Sequence, residues 1–122
     1  MLLKKEYTFE CDDKICDAII ELNLKGYSSD FSCSGHPGFE TLPYISFTRV
    51  ASLYIETHPN NWMIDNKLGN VVIRRYFTDE EFLIFTDDQL IDLAMQELSN
   101  WIDTLPEVCD PYGSLKMEKI EN

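Results

Sequence analysis

Lys25-Gly26-Tyr27-Ser28-Ser29-Asp30-Phe31-Ser32-Cys33, then Ser34-Gly35-His36-Pro37-Gly38, then Tyr44-Ile45-Ser46-Phe47-Thr48-Arg49-Val50 is the stretch that decides the fold. Gly26 suits the residue that ends a helix at positive φ, and Lys25 suits the negative pole there. From Tyr27 to Cys33 the residues alternate, with Tyr27, Ser29, Phe31 and Cys33 on one side and Ser28, Asp30 and Ser32 on the other. That period predicts a strand. Residues 34–43 carry Gly35, Pro37, Gly38 and Pro43 and form a loop. Tyr44 to Val50 alternates again, Ile45 and Phe47 against Ser46 and Thr48. Strand following strand implies antiparallel pairing, which favours an α+β fold over a doubly wound parallel sheet.

Upstream, Tyr7, Phe9 and Cys11 alternate with Glu6, Thr8 and Glu10, the period of a half-buried strand. Asp12 offers an N-cap to a helix whose apolar stripe is Ile15, Cys16, Ile19, Ile20 and Leu22. Downstream, residues 51–70 are irregular. Ala51 to Glu56 either continues the strand or forms a short helix, and His58-Pro59-Asn60-Asn61 is a turn. Val71–Phe77 and Phe82–Phe85 read as a hairpin around Thr78-Asp79-Glu80-Glu81, although those four residues also fit a capping box that opens a helix. Thr86 with Gln89 forms a second capping box, followed by the stripe Leu90, Ile91, Ala94, Leu98, Trp101 and Ile102 up to Pro106. The expected architecture is a mainly antiparallel sheet with two helices, in the order β-α-β-β-irregular-β-β-α. Residues 1–106 would form a single domain and 107–122 a C-terminal tail.

A chain of 122 residues fits one core, and 44 % hydrophobic with 12 % aromatic content agrees with a packed globule. The net charge is −12, with 9 acids and 5 bases in residues 1–61 and 13 and 5 in residues 62–122. This balance opposes direct nucleic-acid binding, which rests on cationic contacts with phosphate. It favours solubility, cationic partners or imitation of nucleic acid. No apolar run is long enough to cross a bilayer, and charge begins at Lys4 with no export signal before it, so a cytoplasmic location is expected. The four cysteines, Cys11, Cys16, Cys33 and Cys109, are expected to be reduced there.

Chemistry concentrates in Ser32-Cys33-Ser34-Gly35-His36, a loop that follows a strand. Gly35 at positive φ would let neighbouring N–H groups converge on an anion, the serines add hydroxyls, Cys33 is a nucleophile and His36 a base. The same spacing fits a small core cysteine followed by a plain turn. Cys33-x-x-His36 is half of a zinc pair, but with no second close pair no metal is expected. Arg74 and Arg75 point to opposite faces of their strand, so one of them faces the wrong way for a single apolar layer; that arginine either clamps a phosphate or carboxylate or pairs with Glu80 or Glu81. No motif specifies a cofactor.

The run Asn23 to His36 followed by Tyr44-Ile45-Ser46-Phe47 resembles a group of small uncharacterised proteins of Firmicutes and their phages. These carry an N-x-K-G-Y-x-T-x-x-S/C-C-S-G-H pattern and then Y-I-x-F. The resemblance covers residues 12–50, with an echo at Val72-Ile73-Arg74, and implies no particular activity. Ser32 to Gly35 is also similar to the Ser-Cys-Ser-Gly-Arg loop of wybutosine-pathway tRNA methyltransferases, which would imply S-adenosylmethionine near the loop. His36 stands in place of that arginine.

Two functional readings result. In the first, the domain binds a small polar or anionic ligand, with or without turnover, through Ser32, Cys33, Ser34, Gly35, His36, Arg74 and Arg75. Cys33 and His36 would be its catalytic residues. In the second, it is a non-enzymatic, phage-type inhibitor or interaction protein whose acidic surface meets a basic protein partner.

Overall fold

The computed structural model describes residues 2–4, 8–10, 13–36, 38, 42–108 and 118–120. In chain order the elements are β1 (Leu2–Lys4), β2 (Thr8–Glu10), α1 (Asp13–Leu24), β3 (Ser29–Cys33), β4 (Tyr44–Phe47) and α2 (Arg49–Ser52). Then come β5 (Trp62–Lys67), β6 (Asn70–Arg75), α3 (Asp79–Ile84), α4 (Asp87–Thr104) and β7 (Glu118–Ile120). The fold is α+β. Strands β3-β4-β6-β5 form one antiparallel sheet in that order, and β2-β1-β7 form a second, also antiparallel.

Helices α1 and α4 cover one face of the larger sheet. Ile15, Cys16, Ile19 and Leu22 of α1 and Ala94, Leu98, Trp101 and Ile102 of α4 pack on Ile45, Phe47, Trp62, Val71 and Ile73. These apolar residues recur every second position on the strands and every third or fourth on the helices, so each element buries one face.

Four helices occur among the described residues, where the sequence reading expected two. The hairpin expected over Val71–Phe85 is also corrected. Thr78 Oγ1 accepts from Glu81 N at 3.1 Å, and Glu81 Oε1 accepts from Thr78 N at 2.9 Å. The capping box therefore wins over the β propensity of Phe82 to Phe85. The hairpin partner of β6 is β5, inside the stretch read as irregular, and the two join through Leu68 and Gly69 at φ 54° and 90°. Two consecutive residues at positive φ match the twist of a tight hairpin. Ala51 falls in the short helix α2.

Val108 N donates to Lys25 O at 2.7 Å, and β7 pairs with β1. The expected N-cap Asp12, Cys11, Cys109, Pro37 and residues 39–41 lie outside the described residues.

Candidate functional site

The register of the larger sheet decides what the loop can do. Between Ser29 and Phe31 the β3–β4 pairing shifts, so that Ser29 faces Phe47 while Phe31 faces Ser46, Ser32 faces Ile45 and Cys33 faces Tyr44. This irregularity turns the chain over. Tyr27 and Ser29 are buried as expected, but Phe31 is 70 % exposed, contrary to the single face read from alternation. Ser32 shares the helix-covered face with Ile45. Cys33 lies on the opposite face, beyond the apolar core, and is buried there.

The loop itself covers Cys33. Gly35, at φ +85°, passes so close to Pro43 that an added Cβ would meet its Cδ at 3.0 Å. Gly35 N donates to Cys33 Sγ at 3.3 Å, and His36 Nε2 lies 3.6 Å from the same sulfur. The Gly35 N–H expected to face an anion therefore faces the thiol. Ser34 is buried, with its hydroxyl 3.4 Å from Gly35 O. His36 is exposed. Farther along, Gly38 N donates to Asp87 Oδ2 at 2.8 Å, which ties the loop to the first turn of α4. Of the five loop residues, Cys33, Gly35 and His36 converge; Ser32 does not.

The two arginines have separate fates. Arg75 is buried on the helix side, and all five of its N–H donors are taken. Nε and Nη2 reach Glu97 at 2.8 and 3.3 Å, Nη1 and Nη2 reach Glu81 at 2.9 and 2.6 Å, and Nη1 also donates to Tyr76 O at 2.8 Å. Its guanidinium also lies 4.7 Å from the Phe77 ring centroid. Arg75 is thus withdrawn from the ligand set. Burial alone would lower its pKa, but the hydrogen bonds it donates to Glu81 and Glu97 outweigh that and raise it.

Arg74 is on the other face, half-buried, with its guanidinium 5.4 Å from the Tyr44 ring centroid. Among the described residues it has no carboxylate partner. Tyr44 pairs with both Cys33 and Arg74, and Arg74 pairs with Met63. Cys33, Tyr44, Arg74 and Met63 therefore form one row across the sheet. Neighbouring strands lie about 4.8 Å apart, so Cys33 and Arg74 are about 10 Å apart at the backbone. Tyr44 was missed as a site residue, although its alternation with Ile45 already placed it opposite the core.

A concavity of about 190 Å³ opens on the same face, lined by Met63, Asp65, Lys67, Val72, Arg74 and Tyr76 among others. A larger one of about 370 Å³ involves Tyr27, Leu53, Tyr54, Glu56 and Pro106. Its lining includes the carboxylate of Glu56 and no cation, which suits it poorly to an anion. Neither of these two concavities is lined by Ser32 to His36. Among the described residues no three His, Cys, Asp or Glu side chains gather as metal ligands, and no helix is long and apolar enough to cross a membrane. No family model, curated protein or solved structure matches the chain.

Proposed function

We propose that this chain is a small-ligand-binding domain that holds an anionic group at Arg74 and Lys67 and directs the rest of the ligand over Tyr44 toward Cys33 and His36. The observation that carries this reading is the single cross-strand row of Cys33, Tyr44 and Arg74. A guanidinium fork without a carboxylate partner among the described residues recognises phosphate or carboxylate in two-pronged fashion. The Tyr44 ring beneath it limits its rotamers, which lowers the entropy cost of binding.

The concavity of about 190 Å³ is smaller than the usual pocket for a drug-sized ligand, so it suits a phosphate or carboxylate group with a short extension. Asp65 in the same lining offsets one of the two cations and disfavours highly charged polyanions. If turnover accompanies binding, Cys33 supplies the nucleophile and His36 its base.

Native mass spectrometry of the purified chain should show a co-purifying small anion. Phosphate, pyrophosphate and short mono- and dicarboxylates should then be compared in thermal-shift titrations. At least one should stabilise the protein saturably, and Arg74→Ala should weaken it by about tenfold or more, the worth of a charged hydrogen-bond pair. Absence of both a bound anion and any saturable shift overturns the reading.

A further inference from the structure

Helix α3 is built inside out. Glu81, a carboxylate, turns inward and binds Arg75 through two hydrogen bonds at 2.9 and 2.6 Å. The apolar residues turn outward: Leu83 is 86 % and Ile84 71 % exposed, and Phe82 and Phe85 are exposed as well. No residue of this helix is buried. Single apolar residues on a surface are ordinary, but Phe82-Leu83-Ile84-Phe85 is a continuous run, and such patches mark contact sites.

The arrangement is held in place. The capping box at Thr78 fixes the first turn, the ion pair at Arg75 fixes its rotation, and Phe82 meets Phe77 edge-to-face with ring centroids 5.9 Å apart. Glu81 thus prevents the rotation that would turn Leu83 and Ile84 toward the protein.

We propose that α3 is a docking helix that packs Phe82 to Phe85 against the apolar face of a partner's amphipathic helix whose flanks carry lysine and arginine. The charge around the patch selects this occupant. Asp79, Glu80 and Asp88 are exposed beside the run, and no lysine or arginine lies between Arg75 and Lys116 in the sequence. Arg75 itself is neutralised by Glu81 and Glu97. A second copy of this chain fits badly, because a two-fold interface would bring the same acids face to face on chains that each carry −12. An anionic lipid surface would repel the same acids. This surface is independent of the Arg74 site.

The full chain is titrated into a fluorescently labelled amphipathic helical peptide with a leucine face and a lysine face, and into a twin with glutamate in place of lysine. The lysine peptide should bind at least about tenfold more tightly, and its affinity should fall as salt rises from about 50 to about 500 mM. Leu83→Asp with Ile84→Asp, both at exposed positions, should leave the melting curve intact and weaken binding by about tenfold or more. Asp79→Asn with Glu80→Gln should flatten the salt dependence while the apolar contact persists. Equal binding of the two peptides, or unchanged binding by the Leu83 and Ile84 variant, overturns the proposal. Sedimentation showing a dimer that this variant dissociates would assign the face to a second copy and also overturn it. So would variant-sensitive binding to phosphatidylcholine vesicles, which would assign it to a lipid surface.

Discussion

Arg75 and Glu97 meet between the sheet and α4 in a two-pronged ion pair, Nε to Oε1 at 2.8 Å and Nη2 to Oε2 at 3.3 Å, with both residues buried. Glu81 grips the guanidinium from the other side, and Asn61 donates to Glu97. One arginine therefore joins β6 to both α3 and α4.

Removing Arg75 leaves Glu97 buried without its cation, whereas removing Glu97 leaves the guanidinium paired with Glu81. Arg75→Ala should lower stability by about 3–5 kcal/mol in urea unfolding and Glu97→Ala by less, whereas Arg75→Met combined with Glu97→Leu should recover much of the Arg75→Ala loss. A double variant as unstable as Arg75→Ala would mean that the ion pair itself, and not the avoidance of an orphaned charge, stabilises the fold.

The Arg75 guanidinium also sets the acid limb of stability. Its hydrogen bonds hold the Glu81 carboxyl at about 2, against an ordinary value of 4.5. The folded value is the lower one, so this contribution is complete above about pH 5 and is lost as pH falls toward 2. Glu81 is 20 % exposed, and with solvent screening the effect should be on the order of 2 kcal/mol. Unfolding measured between about pH 6 and pH 2.5 should show a steep acid loss that is shallower in Glu81→Gln. Parallel curves for the two proteins would remove Glu81 from the account.

Gly26 marks where α1 and the end of α4 are strapped together. Lys25 Nζ donates to Ile102 O and Leu105 O at 2.7 and 3.1 Å, Tyr27 Oη donates to Pro106 O at 2.7 Å, and Val108 N bonds Lys25 O. Gly26 has φ +100°, and an added Cβ would fall 2.2 Å from Val108 O. Gly26→Ala should therefore cost at least about 2 kcal/mol, from backbone strain plus displacement of Val108. The melting temperature should fall by about 6 °C or more. A loss below about 1 °C would show that the Val108 strap is dispensable.

The sequence made α4 legible because a capping box and a long apolar stripe agree, and every stripe residue from Leu90 to Ile102 is buried. Glu97 lies off that stripe and is nevertheless buried, because the apolar period of a helix carries no sign that a carboxylate will find Arg75. Asp92 of the same helix pairs with Lys14 at 3.1 Å. Strand β5 was illegible because Leu68 at positive φ is not a turn signal, whereas asparagine or glycine there would have been. At the loop, the spacing of Cys33 and His36 already allowed their contact. The irregularity after Ser29, which separates Cys33 from the core and turns Phe31 outward, comes from pairing with β4 and leaves no mark in the local pattern.

That separation bears on whether Cys33 reacts. Cys16 is 0 % exposed within the apolar core, while Cys33 is 7 % exposed under its own loop, with Gly35 N and His36 Nε2 at 3.3 and 3.6 Å from the sulfur. An N–H directed at sulfur and an imidazole able to take the thiol proton favour the thiolate, the form that attacks electrophiles, whereas apolar burial disfavours it. In the native protein at neutral pH, iodoacetamide followed by peptide mapping should label Cys33 well ahead of Cys16, and unfolding in urea should bring the two rates together. His36→Ala should slow Cys33 labelling by about three- to tenfold, in proportion to the lost thiolate fraction, without changing the melting curve of this exposed position. Arg74→Ala should leave the labelling rate unchanged, because its guanidinium acts about two strands away. If native Cys33 is as inert as Cys16, or if His36→Ala labels at the original rate, Cys33 is a packing residue. The ligand site would then rest on Arg74, Lys67 and Tyr44 alone.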